Sequence, residues 1–445
     1  MYSKILIANR GEVAVRVIRA CREMGIQTVA VYSDADEEAL HTNMADESYC
    51  IGGPLVKDSY LNIAAIITVA KETHAEAIHP GYGMLSENPD FAFACKDNGI
   101  AFIGPDSEIM RMMGQKDAAR AIAEKAGVPI TKGSKILSDV NEAMAEADKC
   151  GYPVMLKARA GGGGKGIRVV KSQEEMSHAY SSVQEEARVS FGDGSMYLEK
   201  YLENVKHIEV QILADNQGNV VVLGDRDCSV QRKNQKLIEE CPAPVLSEQT
   251  RKNLYDAAVR LVKETHYTTV GTIEFLVTDK EEFYFMEMNT RLQVEHSVTE
   301  MVCGIDIVKW QIRTANGFII PFQQKDIRND KHAIECRICA EDPKDFHPVC
   351  GTIEILHVPG GPNVRFDSAV YQDYEVSPFY DSMLGKLIVC SGTREEAIRK
   401  MKSSLSEFVL YGVENNRELH MKLMENKEFE NGTYTTDLCK DLYLK

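Results

Sequence analysis

No apolar run in this chain is long enough to cross a bilayer: the longest, YLNIAAIITVA at 60–70, falls well short of the ~20 residues a spanning helix needs. The opening stretch, MYSKILIANRGE, places charge within and just after a short apolar run and carries no signal-peptide cleavage pattern, so a cytoplasmic location is expected. Basic tails and long runs of one charge sign are missing as well. With a net charge of −16 over 445 residues, neither nucleic acid nor an anionic membrane surface is expected as a partner. Cysteine itself is not scarce, but close pairing is. Of twelve cysteines only Cys336 and Cys339 stand at C-x-x-C spacing, with no second pair to complete a zinc site, so reduced structural thiols are expected. Internal repeats and low-complexity tracts are absent too. What remains, 44% hydrophobic and 27% charged residues, is the composition of a globular chain long enough for about two to four domains.

The N-terminal part alternates strand and helix. KILIAN, TVAVYS, AEAIHP and IAFIG read as strands, and EVAVRVIRACREMG, YLNIAAIITVAKE and NPDFAFACKDNG as helices, which argues for an open, mostly parallel sheet. The loop after the first strand, Asn9-Arg10-Gly11-Glu12, lacks the glycine fingerprint of a dinucleotide binder, so a Rossmann-like shape without NAD is expected. Residues 105–126 read as one helix, with Pro105 near its start and Gly127 past its end. A small α/β segment follows to about 203, then mixed strands and helices to about 330. The remainder opens on the strand HAIECRICA and ends in a helix near 394–409.

Two stretches carry chemistry. In KARAGGGGKG, 157–166, four consecutive glycines remove the Cβ atoms that keep ligands from backbone N–H groups, a phosphate-binding device. Walker A fails, because Gly166 follows Lys165, whereas G-x-G-x-x-G matches at Gly161, Gly163 and Gly166. YPVMLKA leads in and GIRVVKS leads out, both as strands, so the loop is either a lid over nucleotide phosphates or a surface hairpin without a ligand. In MEMNTRLQVEH, 286–296, Glu287, Asn289, Arg291, Gln293 and Glu295 fall on one phase and project to one side if the backbone is extended throughout. Acids and amides suit Mg²⁺ and a guanidinium suits an oxyanion; an ordinary solvated strand face is the alternative. GTIEFLV places Glu274 on a neighbouring strand. DCSVQRKNQKLIEECPAP supplies Lys236 in a polar segment between strands, and MYLEKYLENVKHIEVQ brings Glu199, Lys200 and His207 after the glycine hairpin.

Taken together, the glycine flap, Glu274, EMNTRLQVEH and DCSVQRKNQK resemble an ATP-grasp enzyme of the biotin carboxylase family. IANRGEVAVRVIRACREMG, HPGYGMLSEN, FIGP, GTIEFL and YDSMLGKL match the same family, in order, from residue 4 to about 413. The resemblance implies an α/β ATP-grasp fold: an N-terminal Rossmann-like domain over 1–114, an ATP-grasp domain over 115–330 with a mobile glycine-rich lid at about 131–203, and a C-terminal α+β domain over 331–445. It also implies carboxylation of biotin by bicarbonate at the expense of ATP, with Mg²⁺ or Mn²⁺. By matched position, Lys116 and Lys157 would contact phosphates, and Gly163 and Gly164 would present backbone N–H groups to them. Glu199, Lys200, Tyr201 and Leu202 would form the adenine hinge, His207 would lie near the ribose, and Gln231 and Asn234 would complete the ATP set. Glu274, Glu287 and Asn289 would hold the metal. Lys236, Arg291, Gln293 and the backbone of Val294 match the bicarbonate pocket, Glu295 the general base, and Arg337 the residue facing the biotin enolate, with Tyr82 and Gly83 near the biotin ring.

The same resemblance implies a biotin carboxyl carrier protein and carboxyltransferase subunits as partners, and a homodimer. No carrier or carboxyltransferase segment is found up to Lys445, so both are expected on separate polypeptides. Acetyl-CoA, in fatty acid synthesis, is the default acceptor; pyruvate or another acyl-CoA is the alternative. Arg159, Asn234 and Ser297 depart from the usual family residues, at positions that bear on ATP contact rather than on the reaction. A different ATP-grasp carboxylate ligase and a non-catalytic nucleotide-binding module are the competing readings. Arg337 and the strip ending at Glu295 argue against the first. The presence of Glu274, Glu287, Glu295 and Lys236 argues against the second.

Overall fold

In the computed structural model, which describes residues 1–159 and 166–443, β1 (Lys4–Ile7) buries Ile5, Leu6 and Ile7 completely. A strand paired on both edges and covered on both faces has to be this apolar. β2 (Gln27–Tyr32), β3 (Glu47–Cys50), β4 (Ala77–His79) and β5 (Ala101–Phe102) join it in a parallel sheet of order β3-β2-β1-β4-β5. The helix Gly11–Glu23 lays Val13, Ala14, Val17, Ile18 and Cys21, at helical spacing, against this sheet. The strand–helix rhythm of the sequence is therefore realised. β3 escaped it, because ESYC is a short, largely exposed edge with no apolar alternation.

The single helix expected over 105–126 is two helices, Ser107–Gly114 and Lys116–Lys125. Gln115 between them is extended (φ −90°, ψ 112°), so Lys116 opens the second helix instead of lying inside a longer one. β6 (Val154–Ala158), β7 (Ile167–Val170) and β8 (Met196–Lys200) make a small antiparallel sheet of order β7-β6-β8. The two strands flanking the glycines pair as expected, with Lys157 opposite Ile167. Residues 160–165, and with them Gly163 and Gly164, lie outside the described residues.

Among the described residues the largest sheet has eight strands. β9 (Lys206–Ala214), β10 (Val220–Arg232), β11 (Gln235–Cys241), β12 (Thr269–Val277), β13 (Phe283–Asn289) and β14 (His332–Cys339) form most of it. Of the later strands, β15 (Gly351–Thr352), β16 (Ile355–His357), β17 (Val364–Ser368), β18 (Glu375–Val376), β19 (Met383–Ser391) and β20 (Val409–Tyr411), β19 and β17 complete it. The order is β13-β12-β9-β10-β11-β14-β19-β17, while β15 pairs with β18 and β16 with β20. The β11–β14 pairing fuses the middle of the chain to its C-terminal part. The N-terminal part docks through Arg16, which bonds Glu300 and Asp306 at 2.8 Å each.

Three expectations need correction. The strand through MEMNTRLQVEH stops at Asn289; residues 290–295 are irregular and lead into the helix His296–Cys303, so the five polar side chains do not share one strand face. Lys236 is not in a polar segment between strands but is the second residue of β11. Lys233 and Asn234 carry β10 into β11 with φ of 50° and 65°, a two-residue left-handed turn that asparagine accepts readily. The chain also does not finish at Arg394–Glu407: three short helices, Arg417–Met424, Lys427–Asn431 and Leu438–Tyr443, follow. Among the described residues no helix is long and apolar enough to cross a membrane, and all twelve cysteines are free.

Candidate active site

The site is built on alternation. In β9, His207, Glu209 and Gln211 occupy every second position of a strand that is otherwise apolar after Lys206, and all three are buried. Glu274 on β12 pairs directly with Glu209, and Arg226 on β10 pairs with it from the other side. Arg226 is 0% exposed. Its guanidinium donates to Glu209 Oε1 and Gln211 Oε1 at 2.7 Å, Gln293 Oε1 at 2.6 Å, Thr299 Oγ1 at 2.9 Å and Thr272 Oγ1 at 3.2 Å. Five acceptors around a planar fork make Arg226 the anchor that bends the irregular 290–295 segment back over the sheet.

Lys236 reaches three carboxylates: Glu295 Oε1 at 2.6 Å, Glu209 Oε2 at 2.9 Å and Glu274 Oε1 at 3.1 Å. Burial works against its charge, but these three acids outweigh it and hold the ammonium protonated. Glu295 also accepts from Arg337 Nη2 at 3.0 Å, and Arg337 Nε donates to Glu239 Oε1 at 2.7 Å. Burial pushes the Glu295 carboxyl up; Lys236, with Arg337 and Arg226, pulls it below the usual range, so it is ionised and able to accept a proton. Gln293 Nε2 donates to Glu274 Oε1 at 2.9 Å, and the Val294 carbonyl accepts from the fully buried Lys386 at 2.6 Å. Arg291 lies beside this group: its Nε donates to Glu87 Oε2 at 2.9 Å and its Nη2 to Asn289 Oδ1 at 3.0 Å.

Glu274 ties in His207, whose Nε2 is 2.9 Å from Oε2, and Asn289, whose amide donates at 2.8 Å. Gln231 Nε2 stands 2.7 Å from His207 Nδ1, which leaves Nε2 carrying the proton toward Glu274. Burial raises the Glu274 carboxyl, but Lys236 and His207 hold it well below the ordinary value. Glu274 and Glu287 are direct partners across β12 and β13. Two carboxylates at paired positions of adjacent strands are hard oxygen donors, the chemistry a Mg²⁺ ion takes, so Glu274 and Glu287 fit the cation the sequence implied, while Asn289 turns its amide nitrogen to Glu274 and gives its Oδ1 to Arg291. Lys116, at its helix start, lies 3.8 Å from Glu287.

The lid-side residues form a second group. Lys157 on β6 pairs with Glu199 on β8, which Arg120 also holds at 2.9 Å. Burial is outweighed by these cations, and the Glu199 carboxyl is lowered to about 2. Lys200 spends its ammonium on the carbonyls of Gly151 and Tyr152, at 2.9 and 3.0 Å. The Tyr201 N–H goes to Pro153 O at 3.2 Å, and Leu202 follows in the connection to β9. Asn234 sits exposed at the tip of the β10–β11 hairpin. Tyr82 hydrogen-bonds Glu12, and Gly83 beside it has φ of 65°.

The structure thus joins Lys236, Glu274, Asn289, Gln293, Glu295, Arg337, His207 and Gln231 in one network. Lys157 with Glu199 forms a second group, and Tyr82 connects through Glu12 and Lys386 to Val294. Sequence reasoning missed Glu209, Arg226, Glu239 and Glu87. For Glu209 the signal was present: HIEVQIL puts a charged residue between two other polar residues on one phase of a strand that is otherwise core.

The family model described as "Biotin carboxylase, N-terminal domain" matches residues 1–110. "Carbamoyl-phosphate synthase L chain, ATP binding domain" matches 115–322, and "Biotin carboxylase C-terminal domain" matches 335–441. Biotin carboxylase 1 of Bacillus subtilis (strain 168) is 52% identical over 439 residues, covering 98% of this chain and 98% of that protein. A solved biotin carboxylase complex with β,γ-ATP from Campylobacter jejuni superposes with a TM-score of 0.97 at 48% identity, over 99% of each chain. The biotin carboxylase domain dimer of Hydrogenobacter thermophilus 2-oxoglutarate carboxylase, solved with MgADP, ADP and bicarbonate, gives a TM-score of 0.97 at 48% identity over 99% of this chain and 98% of that one.

Proposed function

This chain belongs to the biotin carboxylase family, and from that premise we propose how its residues divide the work of an ATP-dependent carboxylating ligase on the ATP-grasp fold. The observation that carries the proposal is the Glu295 carboxylate, ionised and clamped between Lys236 at 2.6 Å and Arg337 at 3.0 Å. Lys236, Arg291, Gln293 and the backbone at Val294 hold bicarbonate. Glu295 takes its proton, the freed oxygen attacks the γ-phosphorus of ATP, and the bond to ADP breaks to give carboxyphosphate. Carboxyphosphate falls to CO₂ and phosphate, the phosphate removes the ureido N–H proton of biotin, and the resulting anion attacks CO₂. Arg337 faces the ureido oxygen as its charge develops, and Tyr82 and Gly83 border the ring. Glu274, Glu287 and Asn289 would hold Mg²⁺, which when bound would supply positive charge to the phosphate oxygens. Lys116 and Lys157 meet those oxygens, the backbone N–H groups of Gly163 and Gly164 are assigned to the same phosphates by matched position, and His207, Gln231 and Asn234 line the nucleotide. At the hinge, Glu199 and Lys200 have spent their side chains within the protein and the Lys200 and Tyr201 N–H groups bond the carbonyls of Lys132 and Pro153, so of the 199–202 backbone it is the Leu202 end that we assign to adenine.

The carboxyl group leaves on a biotin carboxyl carrier protein, for carboxyltransferase subunits to pass on, and two copies of this chain assemble as a homodimer in the cytoplasm. Acetyl-CoA is the acceptor we propose. Pyruvate or another acyl-CoA is the alternative acceptor, the likeness to a 2-oxoglutarate carboxylase domain adds 2-oxoglutarate, and an acceptor assay separates them. ADP release is the test of the half-reaction itself. In bicarbonate-depleted buffer with Mg-ATP, release should rise on adding bicarbonate and again on adding free biotin. Release indifferent to both would overturn the assignment.

A further inference from the structure

Glu335 stands two residues before Arg337 on β14 and so shares its face. Its partner across the sheet is Glu239 on β11, the residue that holds Arg337. Both glutamates are 0% exposed, and neither oxygen of Glu335 nor Oε2 of Glu239 has a hydrogen-bond partner among the described residues. Two buried carboxylates on facing positions, with Cβ atoms about 5 Å apart, repel each other when both are ionised, and only Glu239 has a cation bonded to it, Arg337 at its Oε1. One proton relieves the conflict: a protonated Glu335 donates to Glu239 Oε2, which removes one negative charge and gives a partner to two of the three orphaned oxygens.

The charges around the pair matter for the reaction. Arg337 on β14 faces Glu239, Glu335 and, from the turn before the next helix, Glu295. Lys386 on β19 faces Glu335 but is engaged by Glu12 from the N-terminal helix, at 3.2 Å, and by the Val294 carbonyl. Lys236 on β11 acts on Glu239, while the Tyr82 phenol stands near Glu335 and remains neutral. With every acid ionised, Arg337 faces three carboxylates that Lys236 and Lys386 share only in part, and its charge is drawn to them before substrate arrives.

We propose that Glu335 and Glu239 share one proton and that this shared proton leaves the Arg337 charge available to the biotin anion, which makes Glu335 a positioning residue. Burial raises both carboxyls, Glu335 well above the ordinary range, and the charges of Lys386 and Arg337 only partly offset it. The sign follows. A carboxyl whose folded value lies above its unfolded one keeps the proton that the unfolded chain has released, so stability and the free Arg337 charge are both lost as pH rises through the folded value.

The inference rests on the carboxylase reading, and the Glu335→Gln variant separates the two. Its amide supplies the same donor with no proton to lose. As pH rises from the ordinary carboxyl range through the raised folded value, the Tm of Glu335→Gln should gain on the wild type, and the alkaline limb of kcat for biotin carboxylation should move up by about one pH unit or more, with the bicarbonate KM unchanged. Should Glu335→Gln not fold, Glu335→Met, equally unable to ionise, carries the same comparison. Parallel Tm curves with superimposable kcat profiles overturn the proposal. A Tm response without a kcat response overturns it too, since the proton then does not reach Arg337. A wild type without bicarbonate-dependent ADP release would sink the carboxylase reading instead and leave the Tm comparison standing.

Discussion

Replacing Glu295 by glutamine is expected to lower bicarbonate-dependent ADP release by about 10²–10⁴-fold, the range general-base catalysis contributes. The change removes one negative charge and no volume. Lys236 keeps Glu209 and Glu274, at 2.9 and 3.1 Å, so its ammonium is not left bare and the sheet beneath is undisturbed. The loss should therefore fall on kcat, with nucleotide binding and Tm close to the wild type. Arg337 loses a partner at 3.0 Å and keeps Glu239. Bicarbonate-dependent turnover within a factor of a few of the wild type would remove Glu295 from the role of base.

Arg226→Met is the change with the largest expected cost in stability, about 3–5 kcal/mol, because it removes one of the two cations held against the buried Glu209 carboxylate and strips four further buried acceptors of their donor. Arg226 closes five hydrogen bonds in a region with no access to solvent. Without it Glu209 keeps only Lys236 as a cation partner, and Gln293 loses the bond that pins the 290–295 segment. Against a typical total of about 5–15 kcal/mol, such a loss is large enough to read directly as a shift of the urea midpoint at unchanged m-value. A shift worth under about 1 kcal/mol would mean that the network tolerates the gap and that Arg226 is not its anchor.

The elements legible in the sequence were those in which one residue pattern serves one local structure. The parallel sheet announced itself through KILI, apolar because both faces are covered, and the lid hairpin through two β-rich strands around glycines. The EMNTRLQVEH strip was legible as chemistry but not as geometry. Nothing in Thr290 or Leu292 says that the strand ends at Asn289; the turn is imposed by Arg226, more than sixty residues upstream by its bond to Gln293, and by Glu87 on Thr290 and Arg291. Lys236 was found as a functional residue and misplaced as a loop residue, because NQK looks like a polar connection when the left-handed turn at Lys233 and Asn234 is not known. Arg226, Glu239 and Glu335 carry no local signal at all. Each lies in a strand whose polar residues face inward only because strands distant in sequence bring charges to meet them.

The most direct test of the account is the fate of an oxygen atom. With ¹⁸O-labelled bicarbonate, Mg-ATP and biotin in unlabelled water, the bicarbonate oxygen that attacks the γ-phosphorus must stay on the phosphate when carboxyphosphate releases CO₂. Inorganic phosphate carrying one ¹⁸O per turnover is the result this site predicts. Phosphate free of label, formed while ADP is still released, would mean that water attacks ATP and that bicarbonate is not the nucleophile held between Lys236 and Glu295.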